Sequence, residues 1–372
     1  MLLIQARTSF PIRQSFQRFR NYSSTHSHPH SLTRHLLQAI SCPTRANTIA
    51  IVDPQVQKTY TYGELCSASA RLAHSLTHSL THSLDHQPRT LRCIASYNKP
   101  GANYVITALA AWHLGATLVP LCVAHTAPEI SYFVSDSGSD VVVYECGGEA
   151  GVQHLDVPTV CIDEDYVWKP DTNMCKETET PQSLTPFEFN IPEKSSDALI
   201  LYTSGTSGAP KGCVHTHNGL THMITSLVDS WEYTSSDKIL HFLPLHHLHG
   251  VLNKLWCTLY AGGEVEFMKS PDATSIWKRL SSHNSAFGRP PTIFMAVPTI
   301  YARLLEAAGK AVDNVQDGNK EASGLTLKEL NLAVTEMHDM RVMISGSAAL
   351  PDPVMAAWKQ LTGHDLLEVR SG

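Results

Sequence analysis

Apolar stretches of two kinds alternate along most of the chain after its first 50 residues. LRCIASY and DVVVYE predict strands, and ALAAWHLGATLVPL between them predicts a helix, a turn and another strand. This alternation is typical of an α/β fold with mainly parallel sheets flanked by helices. Thr61 and Glu64 stand three residues apart just before an apolar-periodic run, which predicts a capping box at the start of a helix.

A polar stretch at residues 163–197 interrupts this alternation. It holds nine acidic residues, three lysines and four prolines, so we expect an exposed acidic linker. The linker would divide the chain into a first α/β subdomain at residues 45–162 and a second at residues 198–372.

Charge is distributed unevenly. Residues 1–52 contain six arginines, many serines and no lysine, aspartate or glutamate, whereas the whole chain has a net charge of −6. The first part predicts a mitochondrial presequence over residues 1–35 and hence a location in the mitochondrial matrix; a disordered basic tail is the alternative. The net charge argues against a nucleic-acid partner.

The longest apolar run, residues 108–124, is interrupted by His113 and Pro120 and is too short for a transmembrane segment.

Nine cysteines occur singly, without any CxxC pair. This spacing is typical of a reducing compartment, and we expect neither a disulfide framework nor a structural zinc site.

The most informative motif follows a predicted buried strand, ALILY at residues 198–202. The next ten residues, TSGTSGAPKG at 203–212, combine three glycines, several hydroxyl groups and Lys211. Glycines let backbone N–H groups point inward and the lysine supplies a cation, so this loop is suited to a polyphosphate. It lacks the spacing GxxxxGK[ST] of a Walker A loop.

YTSGTSGAPKG resembles the phosphate-loop signature of the AMP-forming acyl-CoA synthetase, luciferase and peptide-synthetase adenylation superfamily. The stretches TYGEL, GATLVPL, LPLHHLHG, VPTIYARLL and GSAALP agree with that superfamily in order, from about Ile49 to Glu368. Within it, the combination of HLHG, VPTIYARLL and GSAALP is most similar to the mitochondrial malonyl-CoA synthetases. The resemblance implies the large N-terminal domain of an adenylate-forming enzyme.

The resemblance also implies the chemistry. A carboxylate attacks the α-phosphate of MgATP, and coenzyme A then displaces AMP from the acyl-adenylate, so ATP, Mg²⁺ and coenzyme A are the expected cofactors and malonate the expected substrate. Aligning the phosphates is the main catalytic task. The residues implied to hold the β- and γ-phosphates are Thr203, Ser204, Gly205, Thr206, Ser207, Gly208 and Lys211.

LPLHHLHG places three histidines within four residues. A zinc site is disfavoured because adjacent residues cannot all point at one ion and no nearby cysteine completes a set. By resemblance, His247 lines the acyl pocket beside the reacting carboxylate. The alternative, that these are hydrogen-bonded structural histidines, stays open.

Two further segments are assigned by resemblance. In VPTIYARLL, Arg303 occupies the position where malonyl-CoA synthetases have an arginine, whose planar fork pairs with the distal carboxylate. A fatty chain would leave this buried cation unpaired, so we expect monocarboxylates to be rejected. In SGSAALP, the residues implied to lie against adenine are Gly346, Ser347, Ala348 and Ala349.

The chain departs from the superfamily pattern after Glu368, where LLEVRSG replaces a segment like RYGMTE. The resemblance therefore implies a C-terminally truncated enzyme without the small C-terminal domain, and we expect weak or no thioester formation. The alternatives are a medium- or long-chain fatty acyl-CoA synthetase and a non-catalytic nucleotide-binding isoform. The sequence does not fix the oligomeric state.

Overall fold

A computed structural model describes most of the 372-residue chain. The described ranges are 45–54, 57–82, 90–163, 195–203, 208–268, 272–280, 288–316 and 324–369. The predicted presequence (residues 1–35) and most of the predicted acidic linker (163–197) lie outside these ranges. The predicted division into subdomains at that linker therefore stays a prediction.

The chain folds into two compact units. The larger is drawn from residues 31–228 and 233–271, and the smaller includes residues 229–232 and 272–372. The strands of the larger unit are β1 Ile49–Asp53, β2 Lys58–Thr61, β3 Cys93–Tyr97, β4 Thr117–Pro120, β5 Val141–Glu145, β6 Thr159–Ile162, β7 Asp197–Thr203, β8 Lys211–Thr216, β9 Lys238–His241 and β10 Glu264–Phe267.

Helices lie between many of these strands, as predicted. They are α1 Tyr62–His82, α2 Ala102–His113, α3 Ala127–Asp136, α4 His217–Ser230, whose last two residues belong to the smaller unit, and α5 Cys257–Ala261. A π-helix at His249–Trp256 runs directly into α5. The predicted capping box of α1 is confirmed: the Thr61 N–H donates to Glu64 Oε2 (2.7 Å), and the Glu64 N–H donates to Thr61 Oγ1 (3.2 Å).

A six-stranded sheet in the larger unit has the order β6-β5-β3-β4-β7-β8. All its pairings are parallel except the antiparallel pair β7–β8. All of β4 and the middle of β7 are buried, which is why they read as continuous apolar runs. The strands β9, β10 and β1 are also parallel to one another, and β2 pairs antiparallel with β1. The expected architecture of mainly parallel sheets flanked by helices is confirmed.

One disulfide bond is present in the described part of the chain, although the spacing of the cysteines predicts no disulfide framework. Cys146 and Cys161 are joined by a disulfide bond, with their Cα atoms 5.7 Å apart. They are separated by 15 residues, but β5 and β6 are adjacent parallel strands and bring the two positions side by side. Single cysteines reveal nothing of this pairing until the strand order is known.

The smaller unit contains β11 Ile293–Ala296, β12 Val342–Gly346 and β13 Leu367–Val369, which are parallel with β12 in the middle. Its helices are α6 Ala273–Arg279, α7 Pro298–Gln316, α8 Leu327–Met337 and α9 Asp352–Thr362. Trp277 and Trp358 stack in its core with ring centroids 5.7 Å apart. Among the described helices of the chain, none is long and apolar enough to cross a membrane.

Candidate functional site

The predicted phosphate loop connects two antiparallel strands of the larger unit. Thr203 ends β7 and Lys211 begins β8, and the two residues are partners in the register of the pair. Thr203, Gly208 and Lys211 are exposed. A side chain at Gly208 would meet no atom within 4 Å. The intervening residues 204–207 lie outside the described ranges, so the predicted roles of Ser204, Gly205, Thr206 and Ser207 are not tested.

Helix α3 holds both ends of this loop. The Tyr132 hydroxyl donates to the carbonyl oxygen of Pro210 (2.7 Å), and the Tyr202 hydroxyl donates to Asp136 Oδ2 (2.7 Å). Burial, together with the hydrogen bond to Asp136, raises the pKa of Tyr202 above its ordinary value. Gly212 lets β8 approach Tyr202, because an added Cβ would lie only 3.3 Å from the tyrosine ring. Contacts with α3 therefore hold the chain on both sides of residues 204–207.

The histidine-rich turn lies between β9 and the π-helix. The backbone N–H groups of Gly250 and Val251 both donate to the carbonyl oxygen of His247 at 3.0 Å. Gly250 is required at its position, because an added Cβ would collide with the carbonyl oxygen of Pro244. His249 is buried, and its Nδ1 lies 3.2 Å from Asn253 Nδ2. His249 thus fits the structural alternative, whereas His246 is partly buried and His247 is exposed.

A continuous row of aromatic rings joins this turn to the phosphate loop. The ring centroids lie 4.6 Å apart for Tyr202 and Phe133, 5.1 Å for Phe133 and His125, 5.4 Å for His125 and His246, and 4.2 Å for His246 and His247. Sequence reasoning missed His125. Its only signal was its place after β4, whose carboxyl end neighbours that of β7 in the parallel sheet.

Two imidazoles of this row, those of His246 and His247, have lowered pKa values. Burial, assisted by the charges of His247 and His125, lowers the pKa of His246 to about 4. Burial and His125 also lower the pKa of His247. His246 is therefore uncharged at neutral pH, and the pKa of His247 is shifted in the same direction.

Cys122 lies close to His125 and His246, two members of this row. One ligand atom of each of Cys122, His125 and His246 lies within 4.8 Å of the other two. A cysteine thus stands near the histidine turn after all, and the sequence-based argument against a metal there was wrong in that step. The cysteine lies more than a hundred residues earlier in the chain, so only the fold reveals the cluster.

The smaller unit carries the remaining predicted residues. Arg303 lies in the second turn of α7 and is exposed, not buried as expected. Tyr301 and Leu304 flank it and are fully buried, so they take the inward positions of the helix. The Tyr301 hydroxyl donates to the carbonyl oxygen of Ile344 (2.9 Å), which fixes the start of α7 on β12.

The segment at residues 346–349 leaves the carboxyl end of β12. Gly346 is buried, whereas Ser347, Ala348 and Ala349 are exposed. Ser347 adopts a left-handed conformation with φ 69°, which is uncommon for a residue with a Cβ and directs the chain sharply out of the strand. A row of small exposed side chains is compatible with close approach of a flat ring. The structure therefore assigns Thr203, Gly208, Lys211 and His247 to one unit, and Arg303 and residues 346–349 to the other.

Comparisons with known proteins agree on one family. The model of the family described as AMP-binding enzyme matches residues 40–369. The chain is 35% identical over 324 residues to the mitochondrial malonate–CoA ligase of Homo sapiens, covering 86% of this chain and 52% of that protein. It is 31% identical to the malonate–CoA ligase of Arabidopsis thaliana, covering 84% of this chain and 51% of that protein.

Solved structures give the same result. The crystal structure of ATP-bound MatB from Rhodopseudomonas palustris has a TM-score of 0.68 and 26% identity, covering 92% of this chain and 59% of that one. The chain thus spans about half the length of the curated relatives it matches.

Proposed function

Because the chain belongs to the AMP-binding enzyme family, we propose that it activates malonate, a short dicarboxylate, with ATP. One malonate oxygen attacks the α-phosphorus of MgATP, the bond from that phosphorus to the bridging oxygen breaks, and pyrophosphate leaves. The thiol of coenzyme A then attacks the acyl carbon and AMP departs. The reaction class is that of an acid–thiol ligase, and Mg²⁺ enters as part of the nucleotide substrate.

The observation that carries this proposal is that α3 holds the two ends of the connection between β7 and β8. Lys211 is exposed at its end, opposite Thr203, and α3 holds Tyr202 and Pro210 on either side. A cation and backbone N–H groups in such a loop offset the charge of a polyphosphate. Residues 203–208 and Lys211 would bind the β- and γ-phosphates.

The acyl and adenine subsites are assigned by resemblance to the family. His247 would line the acyl pocket as a hydrogen-bonding group. Arg303 would pair with the distal carboxylate of malonate in a bidentate salt bridge, and residues 346–349 would lie against adenine. The malonate ligase names of the human and Arabidopsis relatives support this choice of substrate. The bound ATP named for the bacterial neighbour supports the choice of nucleotide.

The proposal extends to location. The arginine-rich, acid-free first 35 residues support import into the mitochondrial matrix, as does the mitochondrial designation of the human relative. Fusion of residues 1–35 to a fluorescent protein tests this directly. We expect mitochondrial fluorescence that is lost when the arginines of the segment are replaced by glutamine, whereas diffuse fluorescence of the unaltered fusion would contradict the assignment.

Binding of stable acyl-adenylate analogues tests the substrate without requiring turnover. We expect the malonyl sulfamoyl-adenosine to bind at least about tenfold more tightly than the octanoyl analogue, since a charge-assisted pair contributes about 1.5–3 kcal/mol. Tighter binding of the octanoyl analogue would instead identify a fatty acyl-CoA synthetase. Binding of ATP without either analogue would identify a nucleotide-binding protein.

A further inference from the structure

Three side chains that ligate metals converge in the larger unit, beside the groups to which the acyl chemistry is assigned. They are Cys122, His125 and His246. We propose that these three residues bind one divalent transition-metal ion of borderline softness, such as Zn²⁺, and leave a fourth coordination position open. No step of the proposed reaction requires this metal ion.

The first two ligands belong to one short turn. The His125 N–H donates to the carbonyl oxygen of Cys122 at 3.0 Å, so the Cys-x-x-His segment folds back on itself directly after β4. The Tyr97 hydroxyl donates to the carbonyl oxygen of Val123 (3.2 Å) and anchors the middle of this turn. The capping box of Thr126 and Glu129 fixes the start of α3 immediately after it. The backbone of both ligands is therefore positioned in advance.

The third ligand comes from the opposite side of the turn. The His246 ring centroid lies 5.4 Å from that of His125. Its backbone is held by the adjoining π-helix, where His247 accepts hydrogen bonds from Gly250 and Val251. Two rigid turns, far apart in sequence, thus present one thiol and two imidazoles to a common point.

The distances require only a small adjustment. Zn–S and Zn–N bonds of about 2.0–2.3 Å in a tetrahedral site place ligand atoms about 3.3–3.7 Å from one another. The three ligand atoms already lie within 4.8 Å of each other, and all three residues are partly exposed, so side-chain rotation can close the set. Moreover, His125 Nδ1 is buried and has no hydrogen-bond partner within the described part of the chain. Buried polar atoms in folded proteins nearly always have a partner, and a bound metal ion would supply one here.

The donor set also determines which ion fits. One sulfur and two imidazole nitrogens favour Zn²⁺, Co²⁺ or Cu²⁺ over Mg²⁺ or Ca²⁺, which prefer oxygen ligands. Three protein ligands with an open position are typical of sites that exchange a water molecule or a small ligand. The second cluster of metal-ligating residues, Cys146, Glu149 and Cys161, has both sulfur atoms in the disulfide and competes only after reduction.

Cobalt spectroscopy on the full chain tests the proposal. Co²⁺ is added anaerobically and without reductant, so that the Cys146–Cys161 disulfide stays closed. We expect one equivalent to bind with a thiolate-to-cobalt charge-transfer band in the near ultraviolet and visible bands of tetrahedral Co²⁺. Zn²⁺ should abolish both. Cys122→Ser should eliminate the charge-transfer band, and His125→Gln should weaken Co²⁺ binding at least about tenfold, as expected for the loss of one ligand. Cys213→Ser, which alters an exposed cysteine, is the matched control and should keep the band.

Several outcomes would overturn the proposal. They are the absence of the band in the unaltered chain, its persistence in Cys122→Ser, and its loss in Cys146→Ser, which would assign the metal to the other cluster. Urea midpoints and far-ultraviolet circular dichroism of each variant report its folding. If Cys122→Ser does not fold, His125→Gln carries the test, and unchanged Co²⁺ affinity in that variant contradicts the site.

Discussion

The hydroxyl group of Tyr132 lies 2.7 Å from the carbonyl oxygen of Pro210 and donates a hydrogen bond to it. Tyr132 belongs to α3, whereas Pro210 immediately precedes the lysine of the predicted phosphate loop. One hydrogen bond from a helix thus holds the backbone next to Lys211. A tertiary contact therefore supports the described end of the loop.

Replacing Tyr132 by phenylalanine removes this hydrogen bond and keeps the ring. We expect ATP to bind about 2- to 10-fold more weakly, because a hydrogen bond is worth about 0.5–1.5 kcal/mol. Calorimetric titration measures the change. Tyr144→Phe is the matched control on β5 and should keep the ATP affinity of the unaltered chain. Equal affinities of the Tyr132 variant and this control would show that the tyrosine does not support the loop.

Replacing Lys211 by alanine should weaken ATP binding more than about threefold, since a charge-assisted contact is worth more than roughly 1 kcal/mol. Lys99→Ala is the matched control, because Lys99 is a partly exposed lysine paired with Glu145 at 2.8 Å. The same titration compares the two variants. A loss smaller than about threefold at Lys211 would count against the phosphate-loop role.

Gly250→Ala should destabilise the chain by more than about 2 kcal/mol, because the added methyl group meets backbone that cannot yield easily. The collision is with the carbonyl oxygen of Pro244. Gly309→Ala offers a control of opposite sign: Gly309 lies within α7 with nothing near its Cβ position, so alanine should stabilise that helix by about 0.5–1 kcal/mol. Urea midpoints of the two variants should therefore move in opposite directions.

Stability should depend on pH through two fully buried histidines. Burial lowers the pKa of His217 to about 4 and that of His241 to about 3, against 6.5 for an ordinary histidine. Below about pH 6.5 the unfolded chain binds more protons, so this stabilisation is complete above that pH and is lost progressively as pH falls towards the folded pKa values. Each proton contributes a slope of about 1.4 kcal/mol per pH unit.

Urea unfolding at about pH 7.5 and about pH 5 measures this dependence. His217→Gln should flatten it, whereas His222→Gln, on an exposed part of the same helix, should not. A free energy of unfolding that is equal at the two pH values would contradict buried neutral histidines.

Much of the fold follows from local sequence pattern. The apolar runs at β3, β5 and β7 and the Thr61–Glu64 capping box are local signals, and all of them are confirmed. Pro298 begins α7 as expected, because proline lacks an N–H group that the first helical turn does not need.

The features that sequence reasoning missed depend on strand order. The disulfide between Cys146 and Cys161 requires that β5 and β6 be neighbours, and the meeting of Cys122 with His246 requires that two turns face each other. Arg303 was expected to be buried on the strength of its proposed role, but Tyr301 and Leu304 take the inward positions of α7. Contacts between residues distant in sequence are not visible in local periodicity.

The most direct test of the proposed substrate is the effect of Arg303→Ala on two acyl-adenylate analogues, malonyl and acetyl sulfamoyl-adenosine. In the unaltered chain we expect the malonyl analogue to bind at least about tenfold more tightly, and in Arg303→Ala we expect this preference to vanish, because only malonate has a distal carboxylate to pair with the guanidinium group. Lys310→Ala, a cation on the exposed side of the same helix, should keep the preference. A malonyl preference that survives Arg303→Ala unchanged would contradict the assignment of Arg303 as the dicarboxylate-binding residue.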